Sequence, residues 1–364
     1  MNEIISFCCF LTLVILLLAL DLGVFHKKDH VIGTKEAAIW TAIWIGIALL
    51  FCGFIYLKGD VIHGIDSVER LNEINVKHHH GLNLSHITEE NLDEGIKTYR
   101  HTLALEYLTG YLTEKALSID NIFVMIMIFL AFGVEKRFYH RVLFFGIIGA
   151  IVLRFLFIFA AGALIARFDW ILLLFGAVLI FTGVKMFLER KKKENIDVAH
   201  HPVVKFLSKR KLSTPEFHGH DFFAKIDGKW LCTPLFIVLI IIEFSDVIFA
   251  FDSIPAIFGI TQDTFIVFYS NIFAILGLRS LFFLLESIMD KFYYLKIGLA
   301  VLLTFIGAKM ILPFIFEGFH IATGTSLLVI VGILLISIFA SIWFPPKEVK
   351  AQIVETNGDK KLED

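Results

Sequence analysis

Eight carboxylates stand where a chain can least easily hold them. Asp21, Glu106, Glu114, Asp120, Glu243, Asp246, Asp252 and Glu286 all lie in or beside long apolar runs. An ionised carboxylate in hydrocarbon costs about 2.5–3.5 kcal/mol on insertion scales, so such groups usually face the protein interior and mark ion or proton paths. Two stretches concentrate them: Glu114-Lys-Ala-Leu-Ser-Ile-Asp120-Asn121, and Glu243-Phe-Ser-Asp246-Val-Ile-Phe-Ala-Phe-Asp252-Ser253-Ile-Pro255. Carboxylate, carbonyl and amide oxygens are hard ligands that suit Mn²⁺, Mg²⁺ or Ca²⁺ in six-fold geometry. Neither His nor Cys occurs in these stretches, which argues against a soft-metal site. The chain has no HExxH and no Walker loop, so neither zinc-protease chemistry nor ATP-driven pumping is expected of it. The acids are instead suited to exchanging protons for a cation, because burial raises a carboxylate's hold on its proton.

Helical spacing refines the picture. Glu243 and Asp246 share a face, whereas Asp252 points about 120° away from Asp246. Pro255 cannot donate to the carbonyl of Phe251 and disfavours helix at Ile254. A break near 252–255 is therefore expected, freeing carbonyls beside Asp252; broken helices are tolerated in bilayers where they line a cavity. Asp21, Glu106 and Glu286 stand near span ends, where water or a basic partner is within reach. Arg154 and Arg279 are either internal counter-charges or snorkelling residues, and the sequence leaves both readings open. Lys185 and Lys309 sit near span C-termini, where snorkelling suffices.

The acids recur in a repeat. Glu114 to Ile122 matches Asp246 to Ile254: an acid, five residues, then Asp, a small polar residue and Ile. Leu153-Arg154-Phe-Leu156-Phe157 matches Leu278-Arg279-Ser-Leu281-Phe282, and Phe181-Thr-Gly183-Val-Lys185-Met186 matches Phe305-Ile-Gly307-Ala-Lys309-Met310. Three motifs in the same order, at nearly equal spacing, are poorly explained by chance. Each copy covers three apolar runs. An odd number inverts the second copy across the membrane, as in many secondary transporters, whose sites lie where the repeats meet.

The elements that must position these residues are transmembrane helices. Of 364 residues, 57% are hydrophobic and 19% charged, with 39 Phe and a mean hydropathy of +0.78. Soluble domains run nearer 45–50% apolar, so an ordinary soluble enzyme and a disordered chain are excluded. The formal charge of −2 leaves no basic footprint for nucleic acid. Cys8, Cys9, Cys52 and Cys232 form no CxxC pair and read as small apolar residues. A helix crosses a bilayer in about 20 apolar residues. Nine runs qualify: 4–24, 36–57, 103–131, 138–165, 170–188, 234–258, 265–288, 295–315 and 325–344. The first is not a signal peptide, since it opens with Glu3 and carries Asp21 in place of a small-residue cleavage site. The expected fold is an all-α polytopic membrane protein of about nine transmembrane helices, with an inverted repeat formed by spans 3–5 and 6–8.

Loops complete the layout: spans 1–2 over 1–57, a polar extracytoplasmic loop at 58–100, the first repeat at 101–190, a basic loop at 191–231, the second repeat at 232–316, a last span at 317–345 and a tail at 346–364. Lys and Arg fall on alternate loops, notably Arg190-Lys191-Lys192-Lys193 and Lys209-Arg210-Lys211. By the positive-inside rule the N-terminus is outside and the C-terminus cytoplasmic. In the 58–100 loop, His63, His86 and His78-His79-His80 could collect metal, but a solvated, variable loop is the preferred reading. Asp227-Gly228 between apolar-rich flanks signals a small β-hairpin.

Taken together, the segments at 116–123, 181–186, 243–258 and 270–279 resemble the TerC family of integral membrane proteins, and the chain is similar to its alkali-induced bacterial branch from about residue 10 to 345. The resemblance implies an inner-membrane protein whose intramembrane acids handle Mn²⁺. It maps the family motif onto Asp21, Glu114, Asp120, Asn121, Glu243, Asp246, Asp252, Ser253 and Asn271. The acids would be metal ligands or proton carriers, and Asn121, Ser253 and Asn271 would supply neutral oxygens. Two features depart from the family pattern: the long His-bearing stretch around 60–97, and Glu106 where a neutral residue is expected. Tellurite, from which the family takes its name, is an anion that clustered carboxylates would repel.

The leading expectation is a secondary transporter exporting Mn²⁺, by proton exchange, with no bound cofactor and no enzymatic activity. Its partners would be the cation and the bilayer, with the 189–231 loop offering a protein dock. The alternative is a membrane-assembly or stress-response scaffold, which would tolerate Asp120→Asn or Asp252→Asn.

Overall fold

The computed structural model describes residues 3–25, 33–168, 170–189, 214, 219, 221–226, 228–287, 294–316 and 321–344. Its long helices follow the apolar runs: α1 (Glu3–Phe25), α2 (Thr34–Lys58), α5 (Leu92–Ala131), α6 (Lys136–Ile165), α7 (Trp170–Glu189), α8 (Pro234–Phe258), α11 (Leu295–Ile315) and α12 (Thr323–Trp343). Between them lie α3 (Asp60–His63), α4 (Val68–Lys77), α9 (Thr264–Ile275), α10 (Leu278–Glu286) and the hairpin strands β1 (Phe223–Ile226) and β2 (Lys229–Cys232). Leu50, Leu188 and Leu328 are 76%, 72% and 74% exposed. Large apolar side chains turned outward along whole helices need lipid around them, and the chain is an all-α, multi-pass membrane protein.

Among the described residues, seven helices are long and apolar enough to cross a membrane, or eight if α9 and α10 form one span. The sequence led to an expectation of nine. The expected third span, 103–131, is the distal part of α5, a 40-residue helix about 60 Å long at 1.5 Å per residue. Glu106, Glu114, Lys115 and Asp120 interrupt its apolarity. The expected span 265–288 is a pair of helices bent by 44°. Gly277 makes the bend at φ +80, in the left-handed region. A Cβ there would also meet the ring of Trp44 on α2, so glycine is required on both counts.

The expected break at Pro255 is absent, and α8 runs unbroken to Phe258. Pro234 at its first turn costs nothing, because that N–H has no intrahelical partner. The stretch expected to be a solvated loop is folded. Leu71 and Ile74 of α4 are buried, and a Cβ on Gly95 would meet Leu71 and Ile87. Arg70 pairs with Glu3 of α1 at 2.7 Å, and Arg100 with Asp60 at 2.6 Å. The hairpin lies where the turn signal stood: Phe223 pairs with Cys232 and Ile226 with Lys229. Gly228 has φ +76; Asp227 and the basic stretch 190–213 lie outside the described residues.

Helices from the two repeated sequences interleave. α5 packs on α9, α6 on α8, and α7 on α11. At the α7–α11 seam, a Cβ on Gly183 would meet Thr304 and the carbonyl of Ala300, and one on Gly307 would meet Ile180 and the carbonyl of Gly176. These contacts are reciprocal between equivalent positions of the repeat. Small residues let two backbones approach closely, which is how helices associate in lipid. Phenylalanines fill another seam, where Phe7 of α1 lies within 6.2 Å of Phe155 and Phe159 of α6 and Phe265 and Phe268 of α9, ring centre to ring centre.

Candidate functional site

At the centre of this bundle is Arg154, on α6 and 1% exposed. The apolar flanks Ile-Val-Leu and Phe-Leu-Phe hold it in the middle of its helix, too far from either end to snorkel. Its guanidinium gathers oxygens from three other helices. Nη1 donates to Glu114 Oε1 of α5, to Ser253 Oγ of α8 at 3.1 Å and to Asn271 Oδ1 of α9 at 3.3 Å. Nη2 and Nε donate to Asp246 Oδ1 and Oδ2 of α8 at 3.2 and 3.4 Å. The planar fork of arginine suits this task, since it presents several donors in fixed directions. Two carboxylates and one guanidinium leave the cluster one negative charge in excess when all are ionised. Glu114 Oε2 and Asn271 Nδ2 are buried and unpartnered, so part of the polar lining remains unsatisfied.

Four sequence-predicted site residues thus meet: Glu114, Asp246, Ser253 and Asn271. Glu243 lies one turn before Asp246, half-buried, with Oε2 unpartnered. Its carboxylate lies against α6, where a Cβ on Gly149 would collide with it. The other predicted residues lie elsewhere. Asp252 accepts from Thr182 Oγ1 of α7 at 2.9 Å; with α8 unbroken, the 120° rotation from Asp246 stands. Asp21 pairs with Arg279 Nη2 at 2.8 Å, and Arg279 also reaches the Asp21 carbonyl at 2.9 Å. Asp120, half-buried, and Asn121, buried, follow Glu114 further along α5. Glu286 pairs with Lys136 at 2.6 Å near a helix end, the structural part expected of it.

Both open questions about arginine resolve the same way, since Arg154 and Arg279 are internal counter-charges. Their equivalence in the repeat was the available signal. Glu106, left out of the site, is buried and accepts from Thr261 Oγ1 at 2.6 Å. Its other oxygen lies 3.0 Å from His80 Nδ1.

A helical membrane protein with a charged, oxygen-lined centre buried between its helices is the class that fold and site define. The integral membrane protein TerC family matches residues 99–349, and the chain belongs to that family. It is 44% identical over 335 residues to the membrane protein STKORF319 of Myxococcus xanthus, covering 92% of this chain and 90% of the relative. It is 40% identical over 335 residues to a provisionally named membrane-bound redox modulator, Alx, of Photorhabdus laumondii, covering 92% and 93%. The Alx protein of Escherichia coli strain K12 is likewise 40% identical, with the same coverage. None of these names is that of an enzyme. No solved structure matches the chain.

Proposed function

We infer that this protein is a secondary transporter of divalent cations, with Mn²⁺ as its cargo, exporting it from the cytoplasm through the α5–α6–α8–α9 centre. One observation carries the reading. The oxygens of Glu114, Asp246, Ser253 and Asn271 converge on a single buried point between helices, and they are the hard donors that Mn²⁺ favours.

Arg154 holds that point in the conformation described. A cation entering must take over the carboxylates, so Arg154 acts as a tethered substitute for the cargo. This keeps the acids compensated when no cation is bound, which matters because an unpaired buried charge is costly. Glu243, with one oxygen unpartnered, stands on the approach to Asp246 and is suited to carry the exchanged proton. Asp252, on the α7 side, serves as a staging ligand, with Asp120 and Asn121 further along α5. Asp21 with Arg279 closes the path near α1. The two repeated sequences form an inverted pair, supported by the reciprocal α7–α11 contacts. Alternation between them exposes the centre to either side, with the N-terminus outside and the C-terminus in the cytoplasm of an inner membrane.

The test is flux into proteoliposomes of Mn²⁺, Mg²⁺, Ca²⁺ and Zn²⁺, with and without a pH gradient. Mn²⁺ movement that a proton gradient accelerates, and that Asp246→Asn abolishes, is the expected result. Folded protein that moves no cation would overturn the transport reading in favour of a scaffold. Flux that survives both Asp246→Asn and Glu114→Gln would remove this site from it.

A further inference from the structure

A second polar cluster lies apart from Arg154, and nothing in the transport reading uses it. It joins the folded 58–91 segment to the start of α9. His63 ends α3, His78 and His80 flank the turn after α4, and Asp263 caps α9. All four are buried, at 1%, 7%, 9% and 0% exposure. His63 Nε2, His78 Nε2, His80 Nε2 and Asp263 Oδ2 all lack a hydrogen-bond partner. Yet they face one another. Ligand atoms of His63, His78 and Asp263 lie within 4.8 Å of each other. Asp263 Oδ2 is 3.5 Å from His63 Nε2 and 3.9 Å from His80 Nε2.

The surroundings prepare these atoms for one task. Asp263 Oδ1 accepts from the N–H groups of Phe265 and Ile266 at 3.0 and 3.3 Å, which turns Oδ2 inward. His80 Nδ1 meets the Glu106 carboxylate at 3.0 and 3.1 Å, and His63 Nδ1 meets the Tyr99 hydroxyl at 2.8 Å. An imidazole whose Nδ1–H is taken by a carboxylate presents its Nε2 lone pair, the usual outer shell of a metal-bound histidine. His79, between the two inward histidines, has φ +53. Such backbone costs a non-glycine residue energy and recurs at ligand clamps. A cleft of about 1000 Å³ borders the cluster, with His80, Glu106 and Thr261 in its wall.

We propose that His63, His78, His80 and Asp263 form a resident Zn²⁺ site that pins the 58–91 segment to the membrane bundle. Three imidazoles and one carboxylate are a borderline donor set that favours Zn²⁺ over Mn²⁺. Four protein ligands leave no open position, which marks an ion that stays rather than a cargo that passes. Tetrahedral Zn²⁺ needs donor atoms about 3.3 Å apart, so the two pairs at Asp263 contract by a few tenths of an ångström, and His80, which stands outside the group of ligand atoms within 4.8 Å of one another, moves further in. The three histidines precede residue 99, where the family match begins.

The experiment uses the full chain, purified in detergent, stripped with a chelator and titrated with Zn²⁺ against a chromophoric competitor. One Zn²⁺ per chain is expected, bound at least about 100-fold more tightly than Mn²⁺. The His63→Gln, His78→Gln double variant should lose it, and Asp246→Asn should keep it. Glu106→Gln, which spares all four ligands, should weaken binding by about 10–100-fold. Co²⁺-loaded wild-type protein should show the intense ligand-field bands of tetrahedral coordination, a readout independent of whether the double variant folds. Absence of stoichiometric Zn²⁺ binding, equal affinity for Mn²⁺, octahedral Co²⁺ bands, or Zn²⁺ retention in a folded double variant would each overturn the proposal. None of these outcomes bears on flux through the Arg154 centre.

Discussion

Two buried clusters in this protein answer the same electrostatic problem in opposite ways. Around Arg154, the acids are compensated by a charge built into the chain, and the guanidinium's bonds to Glu114, Asp246, Ser253 and Asn271 satisfy most of the lining. Around Asp263, no arginine or lysine is within ion-pair distance among the described residues, and four inward atoms have no partner. The first cluster is largely satisfied from within and displaceable, which suits a site that fills and empties. The second is incomplete without a guest, which suits a site that holds one. Buried polar groups are almost always satisfied, so four orphaned atoms in one place point to something that satisfies them together.

The sharpest way to break the comparison is Arg154→Gln. It leaves Glu114 and Asp246 buried without a counter-charge, and thermal unfolding in detergent should show a loss of about 3–5 kcal/mol. If the centre takes divalent cations, millimolar Mn²⁺ should restore stability to this variant far more than to wild type. Next in size, Glu114→Gln and Asp246→Asn should each cut Mn²⁺ flux at least about tenfold while leaving Zn²⁺ content unchanged. A common loss of both would show the clusters to be one unit. Smaller is the contrast at Asp263. Asp263→Ala removes the cap and should cost about 1 kcal/mol, whereas Asp263→Asn keeps the cap and should lower only Zn²⁺ affinity. Smallest is Thr182→Val, which removes one hydrogen bond to Asp252 and should cost about 0.5–1.5 kcal/mol with a modest rise in the Mn²⁺ concentration giving half-maximal flux.

The first cluster was partly legible in the sequence, because its acids stand out against hydrocarbon and recur in a repeat. Asp252 and Asp21 stand out equally, yet they pair with Thr182 and Arg279 away from Arg154. Periodicity gives the angle between two residues on one helix, but not which neighbour each will face. The second cluster was barely legible. A His triplet in a polar stretch looks like many solvated loops, and its partners Asp263 and Glu106 belong to distant segments with no motif linking them. The apolar Leu71 and Ile74, three residues apart, were the available hint that the stretch folds against the bundle, and both are buried in α4.

What the sequence determined by itself was the solvent and the raw material: a chain too apolar for water, long runs that must be helices in lipid, and a small set of charges left inside. Those follow from composition and local period alone. The tertiary structure decided which charges meet. It drew Arg154 into the acids, bent α9 from α10 at Gly277, and folded the 58–91 segment so that three histidines face one carboxylate. The physical reason is that burial of a charge is settled by what lies across the helix interface, and that partner comes from elsewhere in the chain.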